Sequence, residues 1–129
     1  MTHYYDSSNL KKISELMQLA PEASASFLSF EKDVYHTHTH IPLKTKELIA
    51  LAVAHITGCP YCIDVHVKKF QQLGGTREEI LEAVLVATTT RAGAILSHAT
   101  HALLAYDETT TSSKESKNVN SSHDPECFC

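Results

Sequence analysis

The chain has no tryptophan, four glycines and four prolines among 129 residues, and no surplus of basic charge. Each shortage excludes something. With a formal net charge of −4 there is no positive footprint for a phosphate backbone, so nucleic acid is not an expected partner. The longest apolar run, Leu48 to Ile56, is too short for a bilayer and contains His55, so a membrane is not expected either. The opening residues Met1–Thr2–His3–Tyr4–Tyr5–Asp6 lack the charged and apolar regions of a signal peptide, which points to a cytoplasmic location. No segment reads as a strand, and the missing βαβ pattern excludes a thioredoxin-like fold. Cysteine is scarce as well, four in all. Two form one local pair and two end the chain, which is not the layout of a secreted disulfide framework.

What the sequence does carry is helical periodicity. Leu10, Ile13, Leu16 and Met17 recur at spacings of three and four, after Ser7–Ser8–Asn9 as candidate caps. Pro21 suits the first turn of a second helix, with Ala23, Phe27, Phe30 and Val34 facing inward. His36–Thr37–His38–Thr39–His40–Ile41–Pro42 reads as a connection. Its histidines His36, His38 and His40 would share a face only if extended, and a polar loop is preferred over a metal site. A third helix runs from Leu43 to Thr57 and stops at Gly58. A fourth starts near Pro60, turns Ile63, Val67 and Phe70 inward, and ends at Gly74–Gly75. Thr76–Arg77–Glu78–Glu79 is a capping box that opens a fifth helix, with Ile80, Ala83, Val84 and Ala87 on its buried stripe. Thr88–Thr89–Thr90 and Gly93 predict a break. A sixth helix follows, with Ile95, Ala99, Ala102, Leu103 and Tyr106 inward, and with His98 and His101 read as interior or interface residues.

The expectation is therefore an all-α domain of about six helices over residues 1–106. Residues 107–129 form a Ser/Thr-rich tail whose composition cannot offset its ordering entropy, flexible unless docked. The tail's Cys127–Phe128–Cys129 reads as an incidental exposed end, with a mobile dithiol as the alternative.

The most specific feature is Gly58–Cys59–Pro60–Tyr61–Cys62–Ile63–Asp64–Val65–His66. Pro60 at a first helical position puts Cys62 in the first turn, where unpaired N–H groups and the helix dipole favour a thiolate. Cys59 precedes the helix and can swing toward Cys62. His66 lies one turn after Cys62 on the same face, able to exchange a proton with the thiol region. Glu47 lies about 15 Å back along the third helix, and His66 about 9 Å along the fourth, at 1.5 Å per residue. In an antiparallel hairpin the offset of about 6 Å is within reach of a glutamate side chain or one bridging water. A zinc site is the competing use of the cysteines, but the core lacks a second pair.

Glu47, eleven intervening residues, Cys59–Pro60–Tyr61–Cys62, three more and His66 together resemble the core motif of the alkylhydroperoxidase D (AhpD) family, within the AhpD/carboxymuconolactone decarboxylase superfamily. The flanks, Lys44 to Val53 and Leu73 to Ile80, are similar too, and the likeness spans about Leu43 to Leu103. It implies an all-α fold, homo-oligomers such as trimers or hexamers, and peroxide reduction with no metal and no organic cofactor. By the family's pattern Cys62 is the peroxidatic thiol, Cys59 the resolving thiol, and Glu47 with His66 the proton relay, commonly through a water. The reductant is a lipoylated or thioredoxin-like protein. Tyr61 stands where some relatives carry a histidine. Decarboxylase members lack the dithiol, so its presence argues against lactone decarboxylation. The alternative function is a non-peroxidase disulfide oxidoreductase, a redox sensor, or a zinc-binding interaction protein using the same cysteines.

Overall fold

A computed structural model of the chain describes residues 4–115. The chain divides after Arg91 into two units, and every residue of the dithiol motif lies in the first. That unit opens with a 3-10 turn, Ser7–Lys12, capped by Asp6, whose Oδ1 accepts the Ser8 N–H at 2.8 Å. Three further segments follow: α1 (Ile13–Gln18), α2 (Pro21–Lys32) and a π-helical turn, Asp33–Thr37. The helices α3 (Leu43–Thr57) and α4 (Pro60–Gln72) make the principal packed pair. The final helix, α5 (Arg77–Glu115), begins in the first unit and continues beyond the division. No strand occurs among the described residues, so the class is all-α.

The punctuation of the α3–α4 hairpin follows from three residues. Gly58 ends α3 in the left-handed region, φ 67°, which a side chain would disfavour. Cys59 N–H then returns to the Ala54 carbonyl at 3.0 Å. Pro60 starts α4, where its missing N–H costs nothing. The capping box before α5 is formed in both directions: Thr76 N–H donates to Glu79 Oε2 at 2.8 Å, and Glu79 N–H to Thr76 Oγ1 at 3.2 Å.

The interior is small. Leu51 and Ala54 of α3, Phe70 of α4 and Ala87 of α5 are its buried apolar residues. Gly75 closes over Phe70 so tightly that a Cβ there would strike the ring. Lys44 lies 5.7 Å from the Phe70 centroid and pairs with Glu79 Oε1 at 2.9 Å, tying the start of α3 to the start of α5.

Three expectations are corrected. Two of the six helices are one, because no break occurs at the threonine run. The helix runs on through Thr88, Thr89 and Thr90, whose hydroxyls donate to the carbonyls of Val84 and Val86 at 2.8–2.9 Å and so find partners inside it. The stripe expected to face inward from α2 is open to solvent, with Phe27, Phe30 and Val34 all exposed. So is the stripe Ile95, Ala99, Ala102, Leu103 and Tyr106: of the side chains described beyond Ala92, none is buried. Over Arg77–Ser112, α5 is also long and apolar enough to cross a bilayer by length and composition alone, although no uninterrupted apolar run in it is of that length. The polar stretch from Asp107 continues the helix to Glu115, and Cys127 and Cys129 lie outside the described residues.

Candidate active site

Cys59 and Cys62 are joined as a disulfide, with Cα atoms 5.3 Å apart. The pair spans the first turn of α4, as the proline at its first position dictates. Cys59 is the cap residue, in extended conformation, and its Sγ accepts the Cys62 N–H at 3.3 Å. The field of the helix start is therefore directed at Cys59 as much as at Cys62. What sets Cys62 apart is its surroundings: it lines an apolar cavity of about 470 Å³ together with His66, while Cys59 does not.

One turn after Cys62 in α4, His66 meets Glu47 of α3. The ring Nδ1 lies 2.6 Å from Glu47 Oε2, and since an ionised carboxylate only accepts, Nδ1–H is the donor. The contact is direct, with no water needed between the two groups. Glu47 is 3% exposed, the single buried charged residue among those described. Burying a carboxylate is costly unless it is hydrogen-bonded, and the His66 Nδ1–H supplies that bond. This bond also fixes the tautomer, leaving the other ring nitrogen as the proton acceptor.

The walls of the apolar cavity come from Val34, Tyr35, Ile41, Ile49, Ala50 and Val53, among others. A second cavity, of about 330 Å³, sets Glu31, Lys32, Glu47 and Lys69 among apolar walls of Leu28, Leu43 and Leu73, and His36 also borders it. Tyr35 lines both. Its hydroxyl is held above the usual tyrosine range, first by burial and then by the nearby charges of Glu47 and Glu31. The sequence reading missed Tyr35, which falls between Val34, assigned to the inward face, and the connection that starts at His36. No local signal marks it, because a π-helical turn shifts the phase of the side chains relative to the α-helical stripe before it.

Tyr61, between the two cysteines, faces the N-terminal segment. Its hydroxyl accepts from Asn9 Nδ2 at 2.9 Å and donates to the Tyr4 carbonyl at 3.2 Å, and the Tyr5 ring meets it edge-on. His98 and His101 sit near each other on α5 in the second unit, ring centroids 6.1 Å apart. Among the described residues, no group of three or more His, Cys, Asp or Glu side chains gathers into a cation site, and His36, His38 and His40 do not converge.

The model of the carboxymuconolactone decarboxylase family matches residues 21–105, and the chain belongs to that family. A protein of Paracoccus denitrificans, described as uncharacterized protein 4 in the cox locus, is 42% identical over 96 residues, covering 74% of this chain and 86% of that protein. The alkyl hydroperoxide reductase AhpD of Mycobacteroides abscessus is 46% identical over 41 residues, which is 32% of this chain and 23% of AhpD. A solved structure of a protein from Methanobacterium thermoautotrophicum superposes with a TM-score of 0.64 at 28% identity, covering 67% of this chain and 96% of that one.

Proposed function

We propose that the protein is a thiol-dependent hydroperoxide reductase with an antioxidant role. The observation that carries this reading is the buried Glu47 bonded to His66, which shares an apolar cavity with one sulfur of a Cys-x-x-Cys disulfide. A dithiol alone serves many ends. A dithiol beside a buried, carboxylate-oriented imidazole is arranged for proton-coupled chemistry at sulfur.

In the reduced protein, the Cys62 thiol gives its proton to His66, and the imidazolium is stabilised by Glu47. The thiolate attacks the terminal oxygen of a hydroperoxide. The S–O bond forms, the O–O bond breaks, and His66 returns the proton to the departing alkoxide. Cys62 is now a sulfenic acid. The Cys59 thiol condenses with it, forming the disulfide and releasing water. An external dithiol reduces the disulfide by exchange and is itself oxidised. No metal or organic cofactor enters these steps. The capped position of Cys59 suits it to leave as thiolate in the exchange, because the Cys62 N–H points at its sulfur.

The apolar walls favour an organic hydroperoxide, and the natural donor on this reading is a lipoylated or thioredoxin-like protein. A cytoplasmic setting, where thiols are kept reduced, fits a cycling dithiol. A homo-oligomer, trimer or hexamer, completes the reading: the exposed apolar residues of α5 beyond Ala92 have no cover within their own unit, and further copies of the same helix supply it. The test is consumption of cumene hydroperoxide by the pre-reduced protein with dihydrolipoamide as donor. Turnover is expected. Failure to consume even one equivalent of peroxide would leave a disulfide oxidoreductase or sensor in its place.

A further inference from the structure

Among residues 25–42 a single side chain is not exposed, and it is Tyr35. The loop that carries it is anchored. Lys46 donates from Nζ to the carbonyls of Val34, Tyr35 and His38, so three carbonyls at the end of the π-helical turn are held by the residue next to Glu47 in α3. The Tyr35 ring lies within 14° of parallel to the His66 imidazole, with centroids 6.2 Å apart. Lys69 Nζ is 5.9 Å from the same ring's centroid. Of the bonded pair, Glu47 lines the charged cavity and His66 the apolar one, and Tyr35 is the residue common to both.

We infer that Tyr35 is a positioning residue for His66: its ring forms the partition between the two cavities, holds the imidazole against Glu47 on the side of the Cys62 cavity, and screens the imidazole from the charged side. The inference rests on the peroxide chemistry proposed above. In that chemistry the proton taken from Cys62 is the proton returned to the alkoxide. An imidazole free to turn toward the side where Glu31, Lys32 and Lys69 lie loses its alignment with Glu47, and the proton parked on it is passed on before it is used. A flat apolar ring alongside prevents both without adding an acid or base. The ring performs this task, and the hydroxyl does not enter it.

The test uses Tyr35→Phe and Tyr35→Ala in the full chain, with Tyr35→Leu should the alanine variant not fold. With cumene hydroperoxide, Tyr35→Phe is expected to react within about threefold of wild type, and Tyr35→Ala at least about tenfold more slowly, the scale of a mispositioned acid–base group. Glu47→Gln should cost far less in the Tyr35→Ala background than in wild type, because an imidazole already free to turn gains little from its carboxylate. A second readout does not depend on turnover. In isotope-labelled protein, the His66 Nδ1–H should exchange slowly with water in wild type and Tyr35→Phe, and much faster in Tyr35→Ala. Unchanged exchange in Tyr35→Ala overturns the inference. A Phe variant as slow as the Ala variant also overturns it, by making the hydroxyl the active part. Wild type that consumes no peroxide overturns the proposed function instead, and the exchange measurement then still decides the role of Tyr35.

Discussion

The α3–α4 hairpin and the part of α5 beyond Ala92 are both apolar helical sequence, yet they come to opposite ends. The hairpin holds Leu51 and Phe70 with no exposed surface, and the one buried charge among the described residues, Glu47, between its helices. The stretch beyond Ala92 exposes Ile95, Leu96, Leu103, Leu104 and Tyr106, each 60–73% open. The difference is one of partners. A helix in water gains most of its stability from a packed face rather than from propensity, and α3 and α4 each give the other such a face. The lesson is that apolar periodicity fixes which side of a helix is to be covered, not whether the cover comes from the same chain. Function follows the same divide, because a buried carboxylate with a defined partner needs a packed interior around it.

The largest effect expected falls on the hairpin. Cys62→Ser should abolish peroxide consumption, whereas Cys59→Ser should reduce one equivalent and stop as a sulfenic acid, read by mass spectrometry of a dimedone adduct. Normal turnover by Cys62→Ser would move the attacking role to Cys59, whose sulfur receives the helix-start N–H. Next in size, Glu47→Gln and His66→Gln should each slow the reaction by roughly 10²- to 10⁴-fold. Raising the pH should recover part of the loss, since the thiol then ionises without help. Equal rates for wild type and both variants from pH 6 to 9 would leave only the dithiol part of the mechanism.

The comparison itself is tested by substitutions in each region. Leu51→Ala removes a fully buried side chain and should cost about 2–5 kcal/mol in urea denaturation. Leu96→Lys with Leu103→Lys should leave the α3–α4 hairpin folded but lower the mass seen by light scattering toward the 14.2 kDa of one chain. A wild type that is already of that mass would remove the second copy as the cover of α5.

Much of the fold was legible because its signals are local. Gly58, Pro60 and the Thr76–Glu79 box each mark a helix end by backbone chemistry that needs no knowledge of the rest. The meeting of Glu47 and His66 was legible from helical rise alone, since a two-residue connection fixes the register of the hairpin. The threonine run misled because propensity penalties of a few tenths of a kcal/mol per residue are too small to stop a helix that has strong helix formers on both sides. The inward stripes of α2 and α5 misled because periodicity is silent on what lies opposite. Tyr35 was invisible for a third reason. Its place depends on a π-helical turn pinned by Lys46, an interaction between segments that no window of sequence contains.

The smallest predicted effect sits at the start of α5, just outside the hairpin, and sharpens where its anchoring ends. The Glu79 carboxyl is held below the ordinary glutamate value, chiefly by the hydrogen bond from Lys44 and then by the Thr76 N–H. A depressed carboxylate contributes stability that is present above its unfolded pKa and lost as the pH falls through its folded pKa. Glu79→Gln keeps an oxygen for the Thr76 N–H but loses the charge opposite Lys44. Its melting temperature should therefore lie slightly below that of wild type at neutral pH. The gap should close on acidification below the depressed pKa, where wild-type Glu79 is itself neutral. Because the Lys44–Glu79 pair is more than a third exposed, added salt should narrow the neutral-pH gap as well. Thermal melts of both proteins from pH 7 downward until the gap stops changing, with and without salt, check it. A gap that widens in acid would mean that the glutamine disturbs the capping box, and that the ion pair between α3 and α5 contributes nothing to the hold on Phe70.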